Sequence, residues 1–288
     1  MANIKDLKKK IKSTKSTHKI TKAMKLVSAA KLARAQARIV GLKAYSEELQ
    51  QTVKKVTAIV KDYEHSLLKE TPGEKSLILT ICSDKGLCGG YNSGLVKQLR
   101  NFIKANSHLT LDTIFIGKKA REILSKEMNV GELLKFKKSE PTLEELRVVA
   151  IKIAEKFKLG KISKLYLAYN TFFSAMNYKP VIKQILPFAL TEKEKAEMAD
   201  SLIEYKFEPS AADILDVLIP EVYFNSINTA LFDALASEHG ARMVAMENAS
   251  KNCSEVIRKI TLKANKLRQA AITTELIEVV SGAESLKA

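Results

Sequence analysis

Long apolar runs, prolines and cysteines are all scarce in this sequence. A helix that crosses a bilayer needs about 20 mostly apolar residues in a row, and no such run occurs among the 288 residues, so no membrane span is expected. The three cysteines, Cys82, Cys88 and Cys253, are odd in number and lack metal-type spacing, which favours reduced thiols in a reducing compartment. Residues 1–15 are lysine-rich but lack the apolar core of a secretory signal, so no export leader is expected.

Patterns for catalysis and ligand binding are also scarce. The four histidines lie far apart, with no carboxylate or cysteine at ligand spacing, so neither a metal nor a cofactor is expected. The loop at 83–92, SDKGLCGGYN, joins a predicted strand to a predicted helix, which is where phosphate-binding turns occur. It matches neither G-x-G-x-x-G nor the P-loop pattern, and a tight turn explains its glycines more simply. Catalysis by this chain is therefore not expected.

Positive charge is concentrated near the N-terminus. Residues 1–60 hold fifteen Lys and Arg against three Asp and Glu, a net charge of +12 out of +16 for the whole chain. Such a stretch suits nucleic acid, acidic protein surfaces or a solvated helix face. Tyr45 is the only aromatic residue before Tyr63, and single-stranded nucleic acids usually stack on aromatic side chains interleaved with cations. The pattern therefore favours a solvated face or a protein partner.

The stretch 220–282 contains no internal proline and one internal glycine, Gly240. It is therefore predicted to be a single helix of roughly 90 Å. Apolar residues recur in it at spacings of three and four, with Lys263 and Thr274 as polar members, and such a seam needs a partner helix. The predicted seam is Met246, Ala249, Cys253, Val256, Ile260, Leu267, Ala270 and Ile277. The last turns are apolar on nearly every face, which predicts that other protein encloses them.

The N-terminal stretch is the predicted partner, because no proline precedes Pro72 and only Gly41 weakens the helix. Its seam is Ile4, Leu7, Ile11, Leu32, Ala35, Ile39, Leu42, Leu49, Val53, Val56 and Val60. Between residues 14 and 28 this register is polar, and an apolar stripe lies on a shifted face, formed by Ile20, Met24 and Val27. We expect the buried face to change there. The terminal helices are predicted to form a long antiparallel coiled coil.

The middle of the chain alternates strand and helix patterns. Short apolar runs predict strands at 76–82, 112–116, 133–136, 165–169 and 181–186, the last as an edge strand between two prolines. Helical patterns occupy 95–102, 118–128 and 141–160. This alternation predicts a mainly parallel sheet covered by helices, a Rossmann-like α/β domain. The fold class is α/β, with predicted boundaries of 1–70 for the N-terminal helix, 71–190 for the α/β domain, 191–219 for a connector and 220–288 for the C-terminal helix.

Four segments together resemble a known family. They are AMKLVSAAKL at 23–32 with Ala35 and Gln36, SDKGLCGGYN at 83–92, ARMVAM at 241–246 and ITTELIEVVSGA at 272–283. In these segments, and in their order along the whole chain, the sequence is similar to the gamma subunits of F-type ATP synthases.

That resemblance implies a central rotor shaft set in a ring of three alpha and three beta subunits, with a Rossmann-like foot bound to the epsilon subunit and the membrane c-ring. Proton-driven rotation of the c-ring would turn the shaft and drive the catalytic beta subunits through successive conformations, with hydrolysis as the reverse. The physical requirement is unequal contact with the three beta subunits. This chain itself would not be catalytic.

The resemblance also implies residue roles. Residues matching the family's beta-subunit contacts are Met24, Lys25, Arg242, Arg268 and Gln269, of which the cationic ones would meet acidic loops on beta. Residues matching the segment that runs in the apolar sleeve of the ring are Ile272, Thr273, Glu275, Ile277, Glu278 and Val280. The foot contact, matched only loosely by EYKFE at 204–208, would use Tyr205 and Glu208.

Within this family, the lack of a cysteine-containing insert and of a transit peptide favours a bacterial enzyme. The chain would then lie on the cytoplasmic face of the inner membrane, touching the membrane only through the c-ring and binding no nucleic acid. Two alternatives stay open on the residues alone. A basic coiled-coil nucleic-acid-binding protein would show steeply salt-dependent affinity, and a nucleotide-binding α/β enzyme would bind ATP tightly by itself.

Overall fold

The structure is a computed structural model that describes residues 4–60, 63–69, 71–72, 75–138, 140–188 and 207–285. The chain divides into two compact units. We call residues 1–28 with 243–288 the helical unit, and residues 29–242 the α/β unit. Within the described residues, every helix falls short of the length and apolar character that a bilayer crossing requires.

Two long helices run at the ends of the chain and enclose an α/β region in sequence. Helix α1 spans Ile4–Ile59 and helix α5 spans Ala211–Ser285. Between them, in chain order, lie β1 (Lys75–Ile81), α2 (Tyr91–Ala105), β2 (Thr110–Ile116), α3 (Lys119–Leu124), β3 (Glu132–Leu134), α4 (Leu143–Lys158), β4 (Lys164–Phe172) and β5 (Tyr178–Leu186). The predicted fold class is confirmed.

The sheet of the α/β unit has the strand order β3-β2-β1-β4-β5. The pairs β3–β2, β2–β1 and β1–β4 are parallel, whereas β5 pairs antiparallel with β4 at the edge. The four parallel strands therefore follow the first four positions, 3-2-1-4, of the strand order of a Rossmann sheet. The predicted parallel sheet and the predicted edge strand are both confirmed.

Two cores cover the faces of the sheet, because alternate side chains of a strand point to opposite faces. On one face, Leu77, Leu79 and Ile81 of β1 pack in a cluster with residues of α1, α4 and α5, including Val53, Phe157 and Ile227. On the other face, Ile78 packs with Phe115 of β2 and with residues of α2 and α3, including Leu95, Leu99 and Leu124. The helices of the α/β unit thus sandwich the sheet.

Helix α5 begins at Ala211, nine residues before the start predicted at Pro220. Ser210 caps it, because its Oγ accepts a hydrogen bond from the Asp213 backbone N–H at 3.2 Å. Proline inside a helix removes one backbone hydrogen bond, but Leu215 and Ile219 are fully buried in the core of the α/β unit. Tertiary packing therefore stabilises helical structure on both sides of Pro220, the residue at which the sequence pattern predicted the helix to begin.

The internal glycine of α5 has a steric cause. A Cβ atom on Gly240 would lie 3.0 Å from both Cα and O of Ala175, at the tip of the β4–β5 hairpin. A side chain at this position would push the hairpin backbone away by a few tenths of an ångström, so glycine permits the close approach of the hairpin to α5.

The two helical segments of the helical unit run antiparallel. His18 Nδ1 lies 3.0 Å from the Ser250 carbonyl oxygen, and further along, Lys25 forms an ion pair with Glu247. On α5 the residues turned inward are Met246, Ser250, Cys253, Ile257, Ile260, Ala264, Leu267 and Ala271. The predicted seam shares Met246, Cys253, Ile260 and Leu267 with this series, and its member Ala249 is half-buried beside Ser250. Its members Val256, Lys263 and Ala270 are each one residue away from the observed series, and Ile277 is exposed.

The observed seam of α5 avoids the charged side chain that the predicted seam included. Lys263 and Val256, both placed in the predicted seam, are exposed, with Val256 at 39%. The observed series keeps the spacing of four and three but contains Ile257 and Ala264, so no charged side chain lies in it. Both registers have the same period, and only packing against the partner helix chooses between them.

Candidate functional site

A buried network in the α/β unit is centred on Arg242 of α5. The side chain is 8% exposed, and its Nη1 lies 2.7 Å from a carboxylate oxygen of Glu238, one turn earlier. Its other donors reach the loop before α2: Nη2 donates to the Lys85 carbonyl at 2.9 Å and Nε donates to the Gly86 carbonyl at 3.2 Å. Burial raises the pKa of Glu238, and the charge of Arg242 opposes that rise.

The network continues through His239, which is 5% exposed. Its Nδ1 lies 3.4 Å from Arg242 Nη1, and its Nε2 lies 3.6 Å from Glu140, which pairs with Lys31 at 2.5 Å. Burial, as the largest of several causes, lowers the pKa of His239 to about 4. The ring is therefore neutral at pH 7, and because guanidinium only donates, Nδ1 accepts and the proton lies on Nε2.

The loop at 83–92 is a tight turn built on buried polar groups. Asn92 donates from Nδ2 to Ser83 Oγ at 2.8 Å and to Cys88 Sγ at 3.2 Å, and all three residues are buried. Leu87 has a φ of 63°, an uncommon conformation for a residue other than glycine, and is 63% exposed. The loop thus presents Leu87 outward while its carbonyls face Arg242, as expected of a tight turn.

The helical unit buries polar residues and exposes apolar ones on α1. Thr21 and Ser28 are 7% and 3% exposed, whereas Ile20, Leu26 and Val27 are 57%, 62% and 59% exposed. The expected change of buried face is therefore wrong, because the three-four register continues unchanged through its polar stretch. His18 can donate from Nδ1 to the Ser250 carbonyl, so hydrogen bonds replace apolar packing there. The exposed residues form an apolar patch on the outer side of α1.

The last turns of α5 expose their apolar side chains. Ile272, Ile277 and Val280 are 51%, 60% and 51% exposed. Thr273, Glu275 and Glu278 are exposed as well, and the Thr273 hydroxyl donates to the Gln269 carbonyl of its own helix at 3.0 Å. Apolar residues in this density on a helix surface mark a contact surface for other protein.

The other residues implied by the resemblance lie in different places. Met24 and Lys25 are half-buried neighbours in the helical unit, where Arg268 and Gln269 are exposed. Arg242 belongs to the α/β unit, where it is engaged within the chain. Glu208 immediately precedes Pro209 and the start of α5, and Tyr205 lies outside the described residues.

Residue patterns did not reveal the partners of Arg242. The sequence offered a weak indication that Arg242 pairs with Glu238, because residues four apart on a helix are neighbours. The ion pair of Lys31 with Glu140, which joins the network at His239, had no such indication, because its two residues are 109 positions apart. Likewise, the outer patch on α1 was interpreted as a buried stripe.

These features define a class of protein. Strands and helices of Rossmann-like topology lie, in chain order, between two long terminal helices, and those helices expose apolar residues over many turns. That combination is typical of a protein that works by contact with other chains.

Comparison with known proteins specifies the family. The chain belongs to the family of ATP synthase gamma chains: the ATP synthase family model matches residues 3–286. It is 38% identical to the ATP synthase gamma chain of Trichlorobacter lovleyi and 37% identical to that of Geobacter metallireducens, in both cases over the whole of both chains. Its function is therefore that of an ATP synthase gamma chain, a subunit distinct from the beta chain.

Solved structures show the same fold. A chain of the Euglena gracilis mitochondrial ATP synthase in the OSCP/F1/c-ring structure is 20% identical, with a TM-score of 0.66 over 98% of this chain and 94% of that chain. A chain of the central stalk and c-ring structure from Tetrahymena thermophila is 24% identical, with a TM-score of 0.57 over 80% of this chain and 99% of that chain. At this identity the likeness concerns the fold.

Proposed function

We propose that this chain is the central rotor shaft of an F-type proton-translocating ATP synthase. It couples rotation of the c-ring, driven by proton flow, to sequential conformational changes of the catalytic beta subunits, and ATP hydrolysis drives the reverse rotation. Catalysis takes place on the beta subunits, and this chain transmits torque. The observation that carries the proposal is the exposure of apolar side chains along the helical unit, on α1 at 20–27 and on α5 at 272–280.

Coupling requires that the shaft touch the beta subunits unequally, because a contact that is equal in all states shifts no equilibrium. The helical unit has the necessary asymmetry of charge. Its α1 segment, 4–28, carries nine lysines and one aspartate, whereas its α5 segment, 243–285, carries six Lys or Arg and five Glu. A surrounding ring therefore faces a basic helix on one side and a nearly neutral helix on the other.

The proposed beta-subunit contacts are Met24, Lys25, Arg242, Arg268 and Gln269. Lys25 pairs with Glu247 within the chain, so an acidic loop on beta would have to exchange with that partner, and a partly exposed pair of this kind is weak enough to exchange. Arg242 is buried, so its contribution in this proposal is indirect: it fixes the loop that presents Lys85 and Leu87.

The end of α5 is proposed to run in an apolar sleeve formed by the alpha and beta subunits. Its contacts would be Ile272, Thr273, Glu275, Ile277, Glu278 and Val280. Full burial of a side chain of this size from water is worth about 1.5–3 kcal/mol, and enclosing the three apolar members, each about half exposed, would recover roughly half of that for each. That gain is absent in the isolated chain, where all three are exposed.

The α/β unit is proposed as the foot, which contacts the epsilon subunit and the c-ring. Tyr205 and Glu208 are the proposed contact residues. The chain would then be peripheral to the cytoplasmic face of a bacterial inner membrane, associated with it only through the c-ring.

The test is ATP hydrolysis by purified alpha and beta subunits with the full chain, without it, and with a version that ends before Arg268. The full chain is expected to convert weakly active subunits into a stable, active assembly, and the truncated chain to lower its rate or stability. Failure of the full chain to assemble with the subunits or to change turnover would overturn the proposal.

A matched pair of charge variants tests the contact residues separately. Lys25→Gln should lower the hydrolysis rate of the assembled enzyme, whereas Lys9→Gln, an exposed lysine on the same helix, should change it little. Equal effects of both variants would mean that the total charge of α1 matters and that the position of Lys25 does not.

A further inference from the structure

A cavity of the α/β unit lies where α1, the edge hairpin of β4 and β5, and α5 meet. Its volume is about 360 Å³, near the lower end of the range for ligand-binding pockets. Glu47, Lys183 and Gln184 of its lining are exposed, so the cavity opens to solvent. None of its described lining residues belongs to the network around Arg242. The cavity is therefore a separate candidate site.

The charges among the described lining residues cancel. Asp233 is 2% exposed, and its Oδ1 lies 2.8 Å from Lys43 Nζ. The other two charged residues, Glu47 and Lys183, are opposite in sign. An anionic ligand would meet the two carboxylates, and a cationic ligand would meet the two ammonium groups, so either would be opposed by charges of its own sign. The lining therefore favours a neutral ligand.

Uncharged polar side chains form much of the remaining lining. They are hydroxyl and amide groups, from Ser46, Gln50, Thr171, Gln184, Ser226 and Thr229. Gln50 Nε2 reaches the Ser46 and Ser226 hydroxyls only at 3.4 Å. The buried hydroxyl oxygens of Thr171 and Thr229 have no hydrogen-bond partner among the described residues. Buried polar groups normally have a partner, so this lining has hydrogen-bonding capacity for a molecule that occupies the cavity.

One side of the cavity is apolar. Leu167 and Tyr169 line it from β4, and Ile185 and Phe188 line it from β5 and the residues that follow. Leu167, Tyr169 and Thr171 are alternate residues of one strand, so they point to the same face of the sheet. A sugar ring presents C–H groups on its faces and hydroxyls around its rim. A lining with an apolar side and many donors and acceptors matches both.

We propose that this cavity binds a neutral polyhydroxylated molecule of the size of a hexose. Each hydroxyl can donate one hydrogen bond and accept others, so neighbouring hydroxyls of the ligand would donate to the Asp233 carboxylate and accept from the Lys43 ammonium. Hydrogen bonds to charged groups are stronger than those between neutral groups. The Gln50 amide would bond to a further hydroxyl, and Tyr169 would cover the C–H face of the ring. This inference does not depend on the rotor role.

The test is equilibrium dialysis of the full chain against radiolabelled D-glucose, D-galactose, D-mannose and myo-inositol. Binding is measured directly because polyols also stabilise proteins without binding, by exclusion from the protein surface. At least one of the four should bind at least tenfold tighter than glucose 6-phosphate and glucosamine, which add a negative and a positive charge. Absence of binding of all four would mean that the cavity holds only water. Equal binding of a charged sugar would overturn the neutral class of ligand.

Two matched variants locate the site. Gln50 lines the cavity, whereas its neighbour Gln51 is exposed and is not part of the lining. Gln50→Ala should weaken sugar binding at least fivefold, because it removes an amide that bonds to the ligand, and Gln51→Ala should weaken it by less than twofold. Thermal unfolding of the free chain should be alike in both variants, since the contacts of Gln50 within the chain are long. Loss of the same size in both variants, or in neither, would overturn the assignment.

Discussion

The same two helices are buried in different ways in the two units of this molecule. In the α/β unit, α1 buries Val53 and α5 buries Ile227, each at 0% exposure. In the helical unit, the best-buried position on α1 is Ser28 at 3%, and large apolar residues such as Leu26 are 62% exposed. The α/β unit thus encloses a large apolar core by itself, whereas the helical unit buries only a few apolar side chains and leaves many exposed.

The difference follows from geometry. A helix that packs against a sheet and other helices can bury most of its apolar surface, whereas a helix paired with one other helix buries only a narrow stripe. The helical unit can therefore tolerate polar residues such as Thr21 in its stripe. We expect the stability of the α/β unit to be its own, and that of the helical unit to depend on assembly.

The largest expected effect tests the core of the α/β unit. Phe157→Ala removes a fully buried ring and should lower the free energy of unfolding of the isolated chain by about 3–5 kcal/mol. Ile277→Ala, at a residue that is 60% exposed in the helical unit, should change it by less than about 0.5 kcal/mol. Urea denaturation of the two variants measures both. Similar losses would mean that the isolated chain already buries the end of α5.

The next effect concerns the buried ion pair of the α/β unit. Arg242→Ala should destabilise the isolated chain by about 3 kcal/mol at pH 7, because it leaves the Glu238 carboxylate buried without its partner. The double variant with Glu238→Gln should recover part of that loss, because no charge remains to bury. Denaturation at pH 7 checks both, and a double variant as unstable as the single one would show that the loop contacts matter more than the pair.

A third, pH-dependent effect belongs to His239. Its pKa of about 4 in the folded chain is below the ordinary value of about 6.5, so the unfolded chain binds more protons in that interval. Stability should therefore fall as the pH drops from 6.5 toward 4, with a loss of about 2 kcal/mol at pH 5. Denaturation at pH 7 and pH 5 measures it, and His239→Gln should remove this share of the loss.

The neighbours of His239 affect the size of that change. Burial alone would raise the pKa of Glu140, but Lys31 and His239 hold it below its ordinary value, so Glu140 adds a loss in the same direction on acidification. If the His239→Gln variant retained the whole pH dependence, the loss would have to be assigned to Glu140.

The smallest effect probes the polar stripe of the helical unit. Thr21→Val keeps the shape of a side chain that is 7% exposed and removes its bond to the His18 carbonyl at 3.0 Å. Because that carbonyl lies in the same helix, the variant should stabilise the helix pair, by less than about 1 kcal/mol. Hydrogen exchange of residues 4–28 should slow, while that of the α/β unit stays unchanged. Faster exchange would show that the hydroxyl has a structural role.

Sequence patterns predicted the sheet well and the helix pair less well. The strand predicted at 76–82 is β1 at Lys75–Ile81, because a short apolar run between loops has few alternative structures. The predicted seam of α5 was wrong at Val256, because Val256 and Ile257 are neighbours in the sequence and both are apolar. The partner helix chose between them.

The candidate site was likewise predicted only in part. The exposed apolar end of α5 was expected from its composition, since residues 272–280 are apolar on nearly every face. The buried state of Arg242 was not expected, because its partners Lys85 and Gly86 belong to a loop about 156 positions away. No local pattern encodes a contact of that kind.

The sequence by itself determined the two long helices, the parallel sheet between them and the family. Each of these depends on residues close together in the chain: periodic apolar positions, the absence of proline, and short motifs. Only the tertiary structure decided which face of α1 is buried between residues 14 and 28, which register α5 uses, and that Arg242 with Glu238 lies inside the α/β unit. Those outcomes depend on what packs against each residue, because burial is a property of neighbours that the chain brings together from distant positions.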